Sequence, residues 1–160
     1  MDDDVLLNTF KLNQFISKSN YNLFETNKNS FICWILRASY PLRNSDSKWF
    51  ASEAEYNHNL YKNITSPNSP YPFYCNGPGV IMTTDLISKL YRKAFEIKLF
   101  WIDDVYVGIL GHYVKADFKD ITYLYSGDFN RLKDIIFVLN ANSIDDIQRI
   151  WNYLIKSAII

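Results

Sequence analysis

The pattern of apolar and polar positions predicts alternating helices and strands. The unbroken apolar run FICWIL at residues 31–36 is typical of a buried strand. Apolar residues at helical spacing predict helices over about residues 9–18, with Asn8 as the cap, from Thr84, and from Ser143. Shorter apolar runs predict three more strands, at about residues 79–83, 121–125 and 135–139. This alternation predicts an α/β fold, with residues 1–160 forming a single domain.

The helix that begins at Thr84 has the clearest apolar stripe. We expect the stripe to be core rather than a cofactor site; its members are Leu86, Ile87, Leu90, Tyr91, Ala94 and Phe95. In the last helix, Asp146 follows Ser143 by three residues, which is the spacing of a capping box. We expect four side chains of this helix to be buried: Ile147, Ile150, Trp151 and Leu154.

A long irregular region is predicted over residues 41–79. It contains all five prolines of the chain, and Ser-Pro, Tyr-Pro and Gly-Pro steps favour turns. Such a long loop in a compact domain more often has a function than not, which makes it a candidate for substrate contacts. Within it, Asn63 begins the N-glycosylation sequon Asn-Ile-Thr.

Charge and cysteine content exclude several classes of protein. Basic and acidic residues balance at 17 each, so charge gives no argument for nucleic acid as a partner. No stretch approaches the roughly 20 apolar residues that span a bilayer, and no signal peptide opens the chain. Two cysteines, Cys33 and Cys75, are too few for a zinc site but are compatible with one disulfide in an oxidising compartment.

Two acidic clusters, Asp2-Asp3-Asp4 and Asp103-Asp104, each run directly into an apolar segment. Adjacent carboxylates repel one another, so a fold accepts them near its core mainly when a cation, a substrate proton or solvent offsets the cost. Mg²⁺ and Mn²⁺ prefer oxygen ligands and commonly bridge carboxylates to phosphates. The first cluster therefore indicates either a metal-diphosphate site or a solvated acidic tail, and the second cluster indicates a base.

These motifs in this order resemble the C-terminal half of the catalytic domain in one family, the β-1,3-galactosyltransferases and N-acetylglucosaminyltransferases. The segments that carry the resemblance are DDDVLLN, KWFASEAEY, YPFYCNGPGVIMTTDL, IDDVYVG and IDDIQRIWNYL. The resemblance implies the C-terminal portion of a GT-A-like (Rossmann-like) domain, whose N-terminal nucleotide-binding half and membrane anchor precede the part seen here. It also implies a type II membrane protein of the Golgi lumen. We expect the chain to be a fragment rather than to begin at a true start.

The resemblance assigns a role to each candidate site residue. Asp2 and Asp4 match the ligands of Mn²⁺ or another divalent cation, and Asp3 with Asp2 would contact the UDP-sugar donor. Asp104 matches the catalytic base that deprotonates the acceptor hydroxyl. Its neighbour Asp103 would contact substrate or tune Asp104 by like-charge repulsion. The loop beside the donor sugar is represented by Tyr71, Tyr74, Gly77 and Gly79. One base suffices for transfer with inversion.

Several residues depart from the family pattern or leave alternatives open. Asn140 stands where the family has a metal-binding His, and an amide oxygen is a poorer Mn²⁺ ligand than imidazole. We expect His58 and His112 to be surface or hydrogen-bonded histidines rather than replacements for it. Trp49, beside Lys48, fits either core packing or substrate contact. The leading function is β-1,3 hexosyl transfer to a glycan on protein or lipid; alternatives are a non-catalytic relative that binds glycan or a partner enzyme, and a metal-dependent hydrolase.

Overall fold

The computed structural model describes residues 4–18, 28–65 and 70–158. Regular elements account for much of these ranges, in the chain order β1 (Leu6–Leu7), α1 (Thr9–Lys18), β2 (Ser30–Leu36), β3 (Tyr74–Met82), α2 (Thr84–Ala94), α3 (Asp103–Tyr113), β4 (Asp117–Asp120), β5 (Tyr125–Ser126), β6 (Phe137–Val138) and α4 (Ile144–Ala158). Among the described residues, no helix is both long and apolar enough to cross a membrane.

The described strands form two small mixed sheets. In the first, β2 lies in the middle, antiparallel to β3 and parallel to β4. In the second, β6 lies in the middle, antiparallel to β1 and parallel to β5. The predicted mixture of helices and strands is confirmed at this level, and the GT-A-like arrangement stays a prediction.

Alternate residues of β2 belong to two different cores. Phe31, Cys33 and Ile35 are buried in the cluster that contains α2 and α3, whereas Ile32 is buried in the cluster around β1, β5 and β6. Successive side chains of a strand point to opposite faces, so both faces of β2 are covered. This is why the run FICWIL contains no polar position.

β3 begins earlier than predicted and carries a bulge. The irregular region was expected to continue to residue 79, but the strand starts at Tyr74. Its pairing with β2 passes from Ile35–Cys75 to Cys33–Val80, so residues 76–79 lie opposite Trp34 alone. A bulge tolerates Pro78, which has no N–H to donate. The Asn-Gly-Pro-Gly sequence therefore indicated a bulge within a strand rather than a turn that ends one.

All three predicted helices are confirmed as α1, α2 and α4, together with the caps of α1 and α4. At α1, Asn8 Oδ1 accepts a hydrogen bond from the Lys11 N–H at 3.0 Å. At α4, Ser143 Oγ accepts from the Asp146 N–H at 3.1 Å, which is one of the two bonds of a capping box, and its hydroxyl donates to the Asp146 carboxylate at 2.8 Å. The Asn8 and Ser143 side chains thus each accept from a backbone N–H that the first helical turn would otherwise leave without a partner.

The apolar stripes of α2 and α4 are only half buried, contrary to expectation. On α2, Leu86 and Leu90 lie in the core, but the other large members of the stripe, Ile87, Tyr91 and Phe95, are exposed. On α4, Ile150 and Leu154 are buried, while Ile147 and Trp151 remain partly exposed. Each helix packs through one edge of its stripe, because the described part of the chain covers only that edge.

The sequence patterns missed one helix and misplaced one strand. α3 was not predicted, because it is apolar on nearly every side and has no polar face to reveal a helical period. The strand expected at residues 121–125 is wrong: Thr122–Leu124 form a 3-10 turn between β4 and β5. The run at residues 135–139 contributes only the two residues of β6.

Candidate functional site

A cleft of about 360 Å³ opens between the start of α3, the start of β3 and the loop that follows β2. Ten of the described residues line it: Ser39, Tyr40, Leu42, Trp49, Tyr71, Tyr74, Asn76, Ile102, Asp104 and Val105. Three of the sequence-predicted site residues, Asp104, Tyr71 and Tyr74, therefore share one cavity. Aromatic walls with a few convergent polar groups are typical of small-molecule sites.

Asp104 is the carboxylate of this cleft. It lies in the first turn of α3, where backbone N–H groups and the helix dipole favour a negative charge. Its Oδ1 accepts a hydrogen bond from the Val105 N–H at 2.8 Å, and its own N–H donates to Asp103 Oδ1 at 3.0 Å. Asp104 is half-buried and Asp103 is exposed. Asp103 thus holds the backbone of its neighbour, and Asp104 is the residue that faces the cavity.

Two contacts fix α3 against β3. A Cβ added at Gly108 would meet Tyr74, so the absence of a side chain there allows the helix to approach the strand closely. Further along α3, His112 Nε2 lies 2.9 Å from the carbonyl oxygen of Phe73. These contacts position Asp104 relative to the tyrosine wall of the cleft.

Tyr71 and Tyr74 supply buried phenols to the cleft. Burial is the main cause that raises the pKa of both tyrosines, and the nearby Asp104 carboxylate adds to the rise. For Tyr71 the Arg43 guanidinium opposes this rise in pKa, and for Tyr74 a hydrogen bond with Ser39 opposes it. Both phenols therefore stay neutral at physiological pH, and the Tyr71 oxygen itself is enclosed by protein.

The loop after β2 carries Trp49 to the mouth of the cleft. Trp49 is 48% exposed, which excludes the core position that the sequence left open. Its ring lies parallel to that of Trp101, with an interplanar angle of 11° and centroids 6.4 Å apart, and the Lys48 ammonium lies 4.6 Å from its centroid. Trp101 was missed by the sequence reasoning, although it directly precedes the IDDVYVG segment.

Gly77 and Gly79, assigned to the donor loop, are not among the described residues that line this cleft. Gly79 is buried against Phe137, which its missing side chain makes room for, and its carbonyl oxygen accepts from Tyr125 Oη at 2.5 Å. The Gly77 N–H donates to the side chain of Asn76 at 3.2 Å. Asn76 is instead the bulge residue that reaches the cleft.

The expected metal ligands are described only in part. Asp2 and Asp3 lie outside the described residues. The backbone carbonyl oxygen of Asp4 accepts from the Ala141 N–H at 2.8 Å, which brings Ala141, the residue after Asn140, beside Asp4. Among the described residues, Asp4 does not line the Asp104 cleft, and no three His, Cys, Asp or Glu side chains form a metal-binding group. The Mn²⁺ site itself stays a prediction.

The remaining candidate residues have clear structural positions. Cys33 and Cys75 form a disulfide, with Cα atoms 5.6 Å apart, beside the bulge of β3. Asn63 is exposed in a turn after a short 3-10 helix, so its side chain is accessible. The expectation for the histidines is confirmed: His112 contacts Phe73 O, and His58 Nδ1 lies 3.2 Å from Pro70 O.

Comparison with known proteins gives a consistent result. The family model described as Galactosyltransferase matches residues 1–122. Over 108 residues, or 68% of the chain, the sequence is 32% identical to human "Beta-1,3-galactosyltransferase 2" and 27% identical to human "Beta-1,3-galactosyltransferase 5". Over the same length it is 29% identical to rat "UDP-GlcNAc:betaGal beta-1,3-N-acetylglucosaminyltransferase 7". The matched parts are 22%, 30% and 23% of those relatives, so the chain spans less than a third of their length.

Proposed function

Because this chain belongs to the galactosyltransferase family, we propose that its Asp104 cleft is the acceptor side of an inverting hexosyltransferase site. The reaction moves galactose or N-acetylglucosamine from a UDP-sugar to the 3-hydroxyl of an acceptor glycan on protein or lipid, in β-1,3 linkage. The observation that carries the proposal is the half-buried Asp104 carboxylate in a cleft with the phenols of Tyr71 and Tyr74. The names of the relatives support the two donor sugars.

Asp104 acts as the general base. As the acceptor oxygen attacks the anomeric carbon, its proton passes to the Asp104 carboxylate while the bond between the sugar and UDP breaks on the opposite side. One attack from the opposite face inverts the anomeric centre, so a single base is sufficient. Tyr74, kept neutral by burial, hydrogen-bonds a sugar hydroxyl and orients the attacking oxygen, while the Tyr71 ring packs edge-on against that of Tyr74.

We assign the donor side to the acidic cluster at residues 2–4. Mn²⁺ or a similar cation bound there would neutralise the charge that develops on the departing UDP. Asp4 and Asp2 are the proposed ligands, with Asp3 beside the nucleotide. Two observations support this assignment: Asp4 offers a carboxylate, the ligand that such cations prefer, and its backbone carbonyl oxygen bonds to Ala141, next to Asn140.

We further propose that the parent protein works in the Golgi lumen, where an N-terminal anchor would tie it to the membrane. The disulfide between Cys33 and Cys75 supports an oxidising compartment. The exposed sequon at Asn63 agrees with that compartment, because N-glycans are added to surface sites of secretory proteins.

A binding assay and a transfer assay together test this function. UDP with Mn²⁺ is titrated into the purified chain by calorimetry, with Asp4→Ala as the variant that should lose metal-dependent binding. Transfer from UDP-galactose or UDP-N-acetylglucosamine is then measured for Asp104→Asn, with Asp103→Asn as the matched control. We expect Asp104→Asn to lose roughly 10²–10⁴-fold in kcat while still binding UDP. Transfer by Asp104→Asn at close to the wild-type rate would remove Asp104 from the chemistry.

A second candidate is a non-catalytic relative that binds glycan or a partner enzyme. Asn140 favours it, because an amide replaces the imidazole that the family resemblance implies at this position. This candidate predicts a folded chain with glycan affinity, no Mn²⁺-dependent UDP binding and no transfer.

A further inference from the structure

The parallel tryptophans at the mouth of the Asp104 cleft are both exposed. Trp49 is 48% exposed and Trp101 is 44% exposed, and Tyr40, which lines the same cleft as Trp49, is also exposed, whereas Tyr71 and Tyr74 are buried. The planes of the two indoles differ by 11°. Exposed aromatic surface next to a polar cavity commonly marks a binding site rather than a packing surface.

The surrounding loop holds this pair in place. The Arg43 guanidinium donates to the carbonyl oxygens of Ala51 (2.5 Å) and Tyr56 (3.0 Å), which ties down the loop on both sides of its turn. The backbone N–H of Trp49 donates to Ser47 Oγ at 3.1 Å. The Lys48 ammonium lies against the Trp49 ring, an arrangement that favours one orientation of the indole. The backbone that carries Trp49 is therefore fixed, and the Lys48 contact orients the indole.

The pair is also adjacent to the proposed chemistry. Trp49 lines the same cavity as Asp104, and Trp101 precedes Asp104 by three residues. Ile102, between Trp101 and the acidic pair, also lines the cavity. A sugar whose hydroxyl contacts Asp104 would thus have its neighbouring sugar at the two indoles.

We propose that Trp49 and Trp101 form an acceptor subsite that binds the second sugar of the acceptor, so that the preferred acceptor is at least a disaccharide. The proposal rests on the proposed function for the identity of the first sugar's site. A pyranose ring has an apolar face of C–H groups that packs on an indole, while its hydroxyl groups stay in water at the rim. Indoles bind in this way at little entropic cost, since they have only two rotatable side-chain bonds.

Acceptor binding without donor is the first test. The tryptophan emission of the wild-type chain is titrated with lactose, N-acetyllactosamine and chitobiose, and separately with the methyl β-glycosides of galactose and N-acetylglucosamine. We expect at least one disaccharide to bind about fivefold or more tightly than its one-sugar counterpart and to protect tryptophan from acrylamide quenching. Equal affinity for one and two sugars, or binding of no disaccharide by the folded chain, would overturn the subsite.

Variants then identify the rings responsible. Trp101→Ala and Trp49→Ala should lose the preference for disaccharides, and Trp101→Phe should retain part of it, because a flat ring remains. Trp151→Ala is the matched control: Trp151 is also partly exposed and stacks on another ring, that of Phe10, at 5.9 Å on α4. A preference that survives both alanine variants would reject the assignment, as would the same loss in Trp151→Ala.

The subsite and the proposed function can fail separately. If the chain binds disaccharides through the two tryptophans but neither binds UDP nor transfers sugar, the subsite is supported and the proposed enzyme activity is contradicted. If the chain transfers sugar with the same acceptor KM for one-sugar and two-sugar acceptors, the enzyme activity is supported and the subsite is contradicted.

Discussion

Gly108 of α3 lies directly against Tyr74 of β3, so closely that a methyl group at residue 108 would meet the Tyr74 Cβ. Gly108 is four residues, about one helical turn, after Asp104, and Tyr74 faces Asp104 across the cleft. The spacing between the Asp104 carboxylate and the tyrosine wall therefore depends on the absence of a Cβ at Gly108.

We expect Gly108→Ala to lower both stability and activity. The neighbouring atoms belong to Tyr74 Cβ and backbone, which cannot move aside as a flexible side chain can, so overpacking should cost about 1–3 kcal/mol. The displacement should also move Asp104 and lower kcat more than it changes UDP affinity. Urea unfolding and transfer kinetics measure the two effects, with the exposed Ser88→Ala of α2 as control. An unchanged unfolding midpoint would show that the contact is not tight.

The disulfide should contribute strongly to stability. Cys33 and Cys75 are 42 residues apart in sequence, and their bond restricts a long loop in the unfolded chain. We expect the double change Cys33→Ser and Cys75→Ser to lower the free energy of unfolding by about 2–5 kcal/mol. Chemical denaturation with and without dithiothreitol measures this. Reductant should lower the midpoint of the wild type and leave that of the double variant unchanged; any other pattern contradicts the prediction.

Stability should fall in mildly acidic solution because of His112. Its ring lies against those of Phe73 and Phe118, and this burial lowers the pKa of His112, partly offset by its hydrogen bond to Phe73 O. The unfolded chain therefore binds a proton at a higher pH than the folded chain. The contribution to stability is complete above about pH 6.5 and is lost as pH falls through the lowered pKa of the folded state.

Urea midpoints between pH 7.5 and 5.0 test the role of His112. We expect His112→Gln to remove most of the decrease in this range and His58→Gln to leave it in place. If the two variants showed the same pH dependence as the wild type, another group would be responsible.

Asn140 gives a prediction about metal affinity. Its backbone φ of 62° lies in the left-handed region, which Asn and, less readily, His can adopt. Because imidazole is a better Mn²⁺ ligand than an amide, Asn140→His should bind Mn²⁺ several-fold more tightly in the presence of UDP. Asn142→His, two residues on and also exposed, is the control. Equal gains in both variants would indicate nonspecific binding by histidine.

The sequence predicted those parts of the fold that depend on short-range patterns. The cap of α1, the capping box of α4 and the buried strand β2 each follow from a few neighbouring residues. The sequence indicated that Asp103-Asp104 contains a base. It did not indicate that these two residues form the first turn of a helix. A helix buried on most sides has no polar stripe, so periodicity cannot reveal it.

The sequence indicated Asp104, Tyr71 and Tyr74 as residues of the candidate site, and the structure places all three in one cleft. The sequence did not indicate the residues whose position depends on tertiary contacts. The place of Gly79 beside a donor sugar stays a prediction, and the sequence did not reveal that its missing side chain makes room for Phe137, a residue 58 positions later. Trp101 carried no motif of its own. Its importance follows from the loop that brings Trp49 alongside it, and no local pattern in the sequence encodes that contact.

The position of β2 between two cores has a consequence for cooperativity. Phe31 and Cys33 belong to one core and Ile32 to the other, so neither core can open without disturbing the strand that the other depends on. The disulfide and the bulge join β3 to the same strand at its centre. The two hydrophobic clusters should therefore lose structure together, and the cleft at Asp104 should remain formed until the whole sheet unfolds.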